Sequence, residues 1–385
     1  MRIARLMGLF AVSLCFVFGS TVYANNNGFD VDWYGYFKLD GARDQNPTDN
    51  GNYTMYVQPQ ATTSDDEQFN MTANQSRLGL TVTNNQYDYA HLSGTIEFDL
   101  YGGGAENKAH LMMRHAYLSI QSGNTRIVAG QTYDIVAPLN PSTLNYTVLW
   151  GCGNTGYRRP QVSLWHTFNP QSPTQFVVAA GMFRTIGDDL GFTLTATADG
   201  DDDGSDAGIP SFQGMLEVNH KLSDGSQIQV GASGMWEQLK AESALTDDYE
   251  NYQSWEAAGH FKYSSEQGWG ICGEAFTGVN LKSYYGCILE NSSIDGINTF
   301  GGWASAWFTP VNQWKVTAGY GMEDPDDEDL ASSARCKNSC CFGNINYSIV
   351  PQATVGLEAS YWQTDYKDSD SADNLRVQSS FILKF

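Results

Sequence analysis

Two glycine-rich runs have the spacing of a dinucleotide-binding turn: Gly151-Cys152-Gly153-Asn154-Thr155-Gly156 and Gly268-Trp269-Gly270-Ile271-Cys272-Gly273. That chemistry needs a helix opening directly after a strand, so that its N-terminus meets a pyrophosphate. Neither run starts a helical pattern, and 39 glycines in 385 residues produce such matches by chance. No Gly-X-Ser-X-Gly elbow offers a nucleophile. The six histidines show no metal spacing, and alternation would set His110 and His115 on opposite faces of one strand. An enzyme is not expected. A run of carboxylates, Asp199-Gly200-Asp201-Asp202-Asp203-Gly204, matches the first half of a calcium loop. It puts forward Asp199, Asp201 and Asp203 as ligands of Ca2+ or Mg2+ bridging to lipopolysaccharide. The glutamate that would complete the loop is missing, and the alternative is a solvated acidic rim.

Charge narrows the classes further. The chain carries 21 Lys+Arg against 43 Asp+Glu, a formal net charge of −22. Nucleic acid is excluded as a partner, because phosphate binding needs clustered cations. Residues 1–24 read as a secretory signal: Arg2 and Arg5, an apolar run from Leu6 to Phe18, then Val22-Tyr23-Ala24 at the cleavage site. Six cysteines follow it (Cys152, Cys272, Cys287, Cys336, Cys340 and Cys341), and export makes disulfides their default state. Their pairing stays open. Zinc at Cys336, Cys340 and Cys341 is disfavoured, with no histidine nearby.

The elements that must position any site are strands. Residues 25–385 divide into about sixteen period-two segments of the length a tilted membrane strand needs, roughly 9–11 residues or slightly more. Leu92, Gly94, Ile96, Phe98 and Leu100 share one face, and Glu97 and Asp99 belong to the other. Short connections near 84–86, 122–125, 169–174, 222–226, 264–268, 309–313 and 350–352 alternate with long ones. This alternation, with the chain ending on Phe385, implies an all-β, antiparallel transmembrane β-barrel of about sixteen strands. Short turns would face the periplasm and long loops the outside. Closure would satisfy every backbone group that hydrocarbon cannot. A secreted sandwich is the alternative, and it has no reason to alternate its loops so regularly.

Several stretches resemble the DcaP-like trimeric porins of Gram-negative outer membranes. They are TANQSRLGL (72–80), GTIEFDLYGG (94–103), LMMRHAYLSI (111–120), VAGQTYDIVAPLNPSTLNY (128–146), GNTGYRRPQ (153–161), GEAFTGVNL (273–281) and GGWASAW (301–307). Some members carry a helical N-terminal extension, whereas here Asn25-Asn26-Asn27 runs almost directly into the first strand. The resemblance implies a homotrimer in the outer membrane, inserted by the barrel assembly machinery among lipid and lipopolysaccharide. It would pass small hydrophilic solutes passively, with anions such as dicarboxylates favoured. A structural or adhesive barrel with a plugged lumen is the alternative.

In porins the third long loop narrows the barrel. Here that is 135–156, weakly charged, with Pro138, Asn140, Pro141, Tyr146 and Trp150. A cation on the lipid face costs roughly 2–4 kcal/mol near the midplane, so strand arginines should turn inward. Arg77 and Arg159 obey this readily. Arg114 shares parity with Ala116, Leu118 and Ile120, so it needs a bulge or a protein-covered face. Arg126 borders a short turn and could snorkel to the interface. Glu97, Asp99, Glu217, Glu256, Glu274 and Glu358 occupy polar-face positions. A basic wall facing an acidic one across the constriction is the expectation; charges that merely wet the lumen are the alternative.

Overall fold

The computed structural model describes residues 28–59, 66–103, 109–190, 200–242 and 248–385. The signal at 1–24 lies outside them. Alternating sequence becomes alternating exposure. In Tyr249–Ser264, Ser254, Glu256, Ala258 and His260 are buried, while Trp255 and Phe261, of the opposite parity, face outward. A strand gives its two faces to two environments, so a period of two along the chain separates lipid from lumen.

Nineteen strands are present among the described residues. They are β1 (Phe29–Asp44), β2 (Thr48–Asn50), β3 (Tyr53–Val57), β4 (Gln68–Thr72), β5 (Arg77–Tyr87), β6 (Ala90–Asp99), β7 (Met112–Ser122), β8 (Thr125–Tyr133), β9 (Arg158–Phe168) and β10 (Thr174–Phe183). Beyond them come β11 (Ser211–Lys221), β12 (Gln227–Glu242), β13 (Tyr249–Ser264), β14 (Trp269–Val279), β15 (Asn298–Val311), β16 (Trp314–Pro325), β17 (Arg335–Val350), β18 (Ala353–Tyr366) and β19 (Ala372–Lys384). From β5 to β19 each strand pairs antiparallel with the next. β1 closes the ring, meeting β5 along residues 29–36 and β19 along 36–44. β4 continues the line of β5 beside β1, so sixteen strands' worth of wall surrounds the lumen. The closed antiparallel barrel read from the sequence is the observed fold. Phe385 exchanges two backbone hydrogen bonds with Gly35, which locks the chain end into the seam.

Two local readings need correction. The first short turn falls at Asp88-Tyr89, not at 84–86. Asn84-Asn85-Gln86 is instead a bulge in β5, where Gln86 N–H bonds the Asn84 side chain and the register with β6 shifts. His110 precedes β7 rather than sharing it with His115. The β2–β3 hairpin is a small separate sheet in the first long connection, and it leans on the wall through Val57 N–H to the Thr364 hydroxyl.

Candidate functional site: the constricted lumen

The segment from Asp134 to Tyr157 leaves β8 and returns to β9 through the inside of the barrel. Its neck is clasped: Asp134 N–H bonds the Tyr157 carbonyl, and Tyr157 N–H bonds Asp134 Oδ2 at 2.8 Å. With two prolines and no strand partner, its backbone donors must find side chains or stay unsatisfied. The inward face of the wall supplies them. Ile135 N–H bonds Gln213 at 2.7 Å, Ala137 N–H bonds Ser233 at 3.2 Å and Leu139 N–H bonds Glu274 at 2.8 Å. Leu144 and Asn145 N–H both reach Glu358, at 2.6 and 3.1 Å, and the Thr155 hydroxyl reaches Glu256 at 2.6 Å. The tip turns tightly through Val148 and Leu149, both at positive φ. Gly153 (φ +96°) passes so close to β15 that a Cβ would sit 2.2 Å from the Gly302 carbonyl oxygen, so only glycine fits.

Two more connections pack on this one. Trp150 stacks on Tyr285 at 4.5 Å, while Gly151 and Gly156 N–H bond the carbonyls of Tyr285 and Tyr284. Asn145 binds the Thr54 carbonyl in the first connection at 2.7 Å. Asn140 accepts from Asn154 across the segment at 2.9 Å; Pro141 is buried, and Pro138 borders a cavity of about 340 Å3. That cavity separates the segment from the wall formed by Tyr117, Val128, Gln161 and Trp165.

The arginines divide by their partners. Arg114 is inside because β7 bulges: Glu97 pairs with His115 and Phe98 with Met113, leaving Arg114 as the extra residue. Its Nε lies 2.8 Å from Glu97 and its Nη1 2.7 Å from Asp99, and the Tyr146 hydroxyl bonds both Arg114 and Asp99. Arg77 sits 3.3 Å from Glu97 and over the Tyr36 ring. Arg159 is fully buried, 3.0 Å from Asp134 and 3.5 Å from Glu237, with the Tyr284 ring 3.7 Å away. Arg126 does not snorkel to the interface; it lies over Trp165 inside, at the edge of the cavity.

The two-wall expectation changes accordingly. Glu256, Glu274 and Glu358 do not line open space; they hold the inserted segment. Arg114 and Arg159 are neutralised by carboxylates on adjacent or facing elements. Glu217, half-buried, bonds His260, Asn219 and Gln229 nearer the short-turn end.

Arg158 is the side chain that parity missed. It stands at the first position of β9, where the loop's exit overrides strand alternation, and is 3% exposed. None of its three guanidinium nitrogens has a hydrogen-bond partner, and it has no ion pair among the described residues. Its company is the Tyr157 ring at 4.3 Å and the Tyr133 ring at 5.6 Å. The adjacent Arg158-Arg159 pair was the available signal, since alternation governs only one of two neighbours.

The acidic run is described only in part. Asp199 lies outside the described residues. Asp202 caps a four-residue helix, α1 (Asp203–Asp206), by accepting from Gly204 and Ser205 N–H. Asp203 turns inward and accepts from the Tyr252 hydroxyl at 2.5 Å; burial pushes its carboxyl up to about 7. Asp202 thus serves its own loop and Asp203 ties that loop to β13; among the described residues no group of three or more His, Cys, Asp or Glu could hold a metal ion.

A closed sixteen-strand barrel, narrowed from within by its third long connection, is the porin fold. The outer membrane channel DcaP of Acinetobacter baumannii is similar, with a TM-score of 0.73 over 94% of this chain and 99% of that one, at 21% identity. The anion-selective porin from Comamonas acidovorans matches at 0.57 and 12% identity, over 93% and 100%. OmpT of Vibrio cholerae in its trimer form matches at 0.57 and 11%, over the same shares. At these identities the likeness is one of fold. No protein-family model and no curated protein sequence matches the chain.

Proposed function

We propose that this protein is a passive diffusion channel of the outer membrane, assembled as a homotrimer, that favours small anions. The single observation that carries the anion preference is Arg158. A buried guanidinium without a carboxylate is costly, and an anion in transit offers the charge-assisted bonds it lacks. The neutralised state of Arg114 and Arg159 leaves Arg158, with Arg126 at the edge of the cavity, to set the sign of the field inside. Two of the solved structures named above are a channel and a porin, which supports a conduit rather than an enzyme. Lipid, lipopolysaccharide and assembly-machinery contacts belong to the same reading, supported by the apolar outer face.

The test is single-channel current in a planar bilayer under a KCl gradient. A chloride-selective reversal potential is expected in three-step insertions, moving toward zero or to cation preference in Arg158→Gln. A cation-selective wild type would overturn the anion reading. A second reading, the plugged structural barrel, draws on three connections crowding the lumen; it predicts no conductance at all.

A further inference from the structure

Six cysteines in an exported channel have no part in conduction, and all six are thiols in this structure. Four of the six are set aside by their own surroundings. Cys341 faces outward on β17, Cys272 bonds Ser305 two strands away from β17, and Cys287 and Cys336 border a separate apolar cluster. Two remain: Cys152 lies at the tip of the inserted segment, and Cys340 lies in the wall beneath it, opposite a glycine.

Cys152 Sγ lies 3.4 Å from the Gly321 carbonyl oxygen. Gly321 is the register partner of Cys340 across β16 and β17, and both residues of such a pair point to the same face. Gly321 has no side chain, and a Cβ there would stand 2.3 Å from the Cys152 carbonyl oxygen. The segment's tip therefore rests directly on that pair. Cys152 and Cys340 are both buried and share one apolar cluster with Leu149, Trp303 and Phe342. Paired Cα atoms stand about 4.5–5.5 Å apart, so the Cys152 sulfur, resting on the Gly321 carbonyl, lies beside Cys340, and a disulfide between them needs their Cα atoms about 4.4–6.8 Å apart.

We infer that Cys152 and Cys340 form a disulfide in the exported protein, stapling the tip of the constriction to the barrel wall. The chemistry is thiol–disulfide exchange with a protein disulfide oxidant of the exported compartment. One thiolate attacks the oxidant's disulfide and expels its thiolate; the second cysteine then attacks the mixed disulfide. Two thiols lose two protons and two electrons, and the oxidant leaves as a dithiol. Because both sulfurs are enclosed in the finished barrel, exchange precedes closure of the segment over the wall. The staple rests on covalent placement alone and is independent of the ion preference.

Peptide mapping by mass spectrometry, without reductant, on protein extracted from membranes of an oxidising-compartment host is the first test. A linked peptide pair containing Cys152 and Cys340, lost on reduction, is expected. Both cysteines alkylated after denaturation, or either one joined to a different cysteine, would overturn the inference. Bilayer recording supplies the second readout. Wild type reduced while unfolded and refolded in reductant should show more open-channel noise and a lower closing voltage, C152S and C340S should each behave like that reduced protein, and the same treatment should change neither variant further. If reduction leaves wild type unaltered while the linked peptide is absent, no staple exists.

Discussion

Glu358 is the anchor whose loss has the most readable consequence. Its carboxylate, 2% exposed, accepts from Leu144 N–H, Asn145 N–H and Asn344 Nδ2, the last at 2.9 Å. Glu358→Ala leaves two donors of the inserted segment and one of the wall unsatisfied. An orphaned buried donor costs about 1–3 kcal/mol, so the two on the segment weaken its seat by about 2–6 kcal/mol. At 1.4 kcal/mol per tenfold, the population with 140–144 lifted from the wall rises by about 30-fold to 10^4-fold. Asn145 to Thr54, Leu139 to Glu274 and Thr155 to Glu256 remain, so the barrel and the neck persist. The expected result in planar bilayers is larger, noisier single-channel current, and in liposome swelling a higher cut-off for neutral sugars. Glu358→Gln keeps one acceptor oxygen and should fall between. If Glu358→Ala forms normal trimers with wild-type conductance and cut-off, the segment does not set the aperture and the reasoning fails.

Arg159→Met removes the cation from Asp134 and Glu237, both buried. Breaking a buried pair costs about 3–5 kcal/mol, so the thermal midpoint should drop clearly, and adding Glu237→Gln should recover part of it. An unchanged midpoint would show that the pair is hydrated. Asp49, in the β2–β3 hairpin, accepts from Met55 and Tyr56 N–H, yet burial outweighs those bonds and pushes its carboxyl up to about 7. A folded value above the unfolded value of about 3.9 means the contribution is complete below pH ~4 and lost as pH rises through about 7. Protease cleavage of residues 45–59 should therefore be faster at pH 8 than at pH 5, with Asp49→Asn cleaved at one rate across that range.

How far the sequence reached is clearest at the arginines. Placing Arg77 and Arg159 inside needed only the cost of a cation in lipid, and the structure puts both there. Arg114 needed a bulge that no local pattern signals, because a bulge depends on which residue the neighbouring strand presents. Arg158 escaped altogether, being governed by a loop exit rather than by alternation.

Fold class was legible because its cause is local and repeated. Each strand separates lipid from water every second residue, and each turn type carries its own residues, so composition along the chain records the barrel directly. Which charges stay unpaired, and which merely hold the inserted segment, was decided only in three dimensions. Glu256, Glu274 and Glu358 looked like an acidic wall; in the folded chain they accept from a threonine hydroxyl and from backbone N–H groups more than a hundred residues away. A carboxylate's role depends on the donor that reaches it, and that donor is chosen by long-range closure of the barrel, which no stretch of sequence encodes alone.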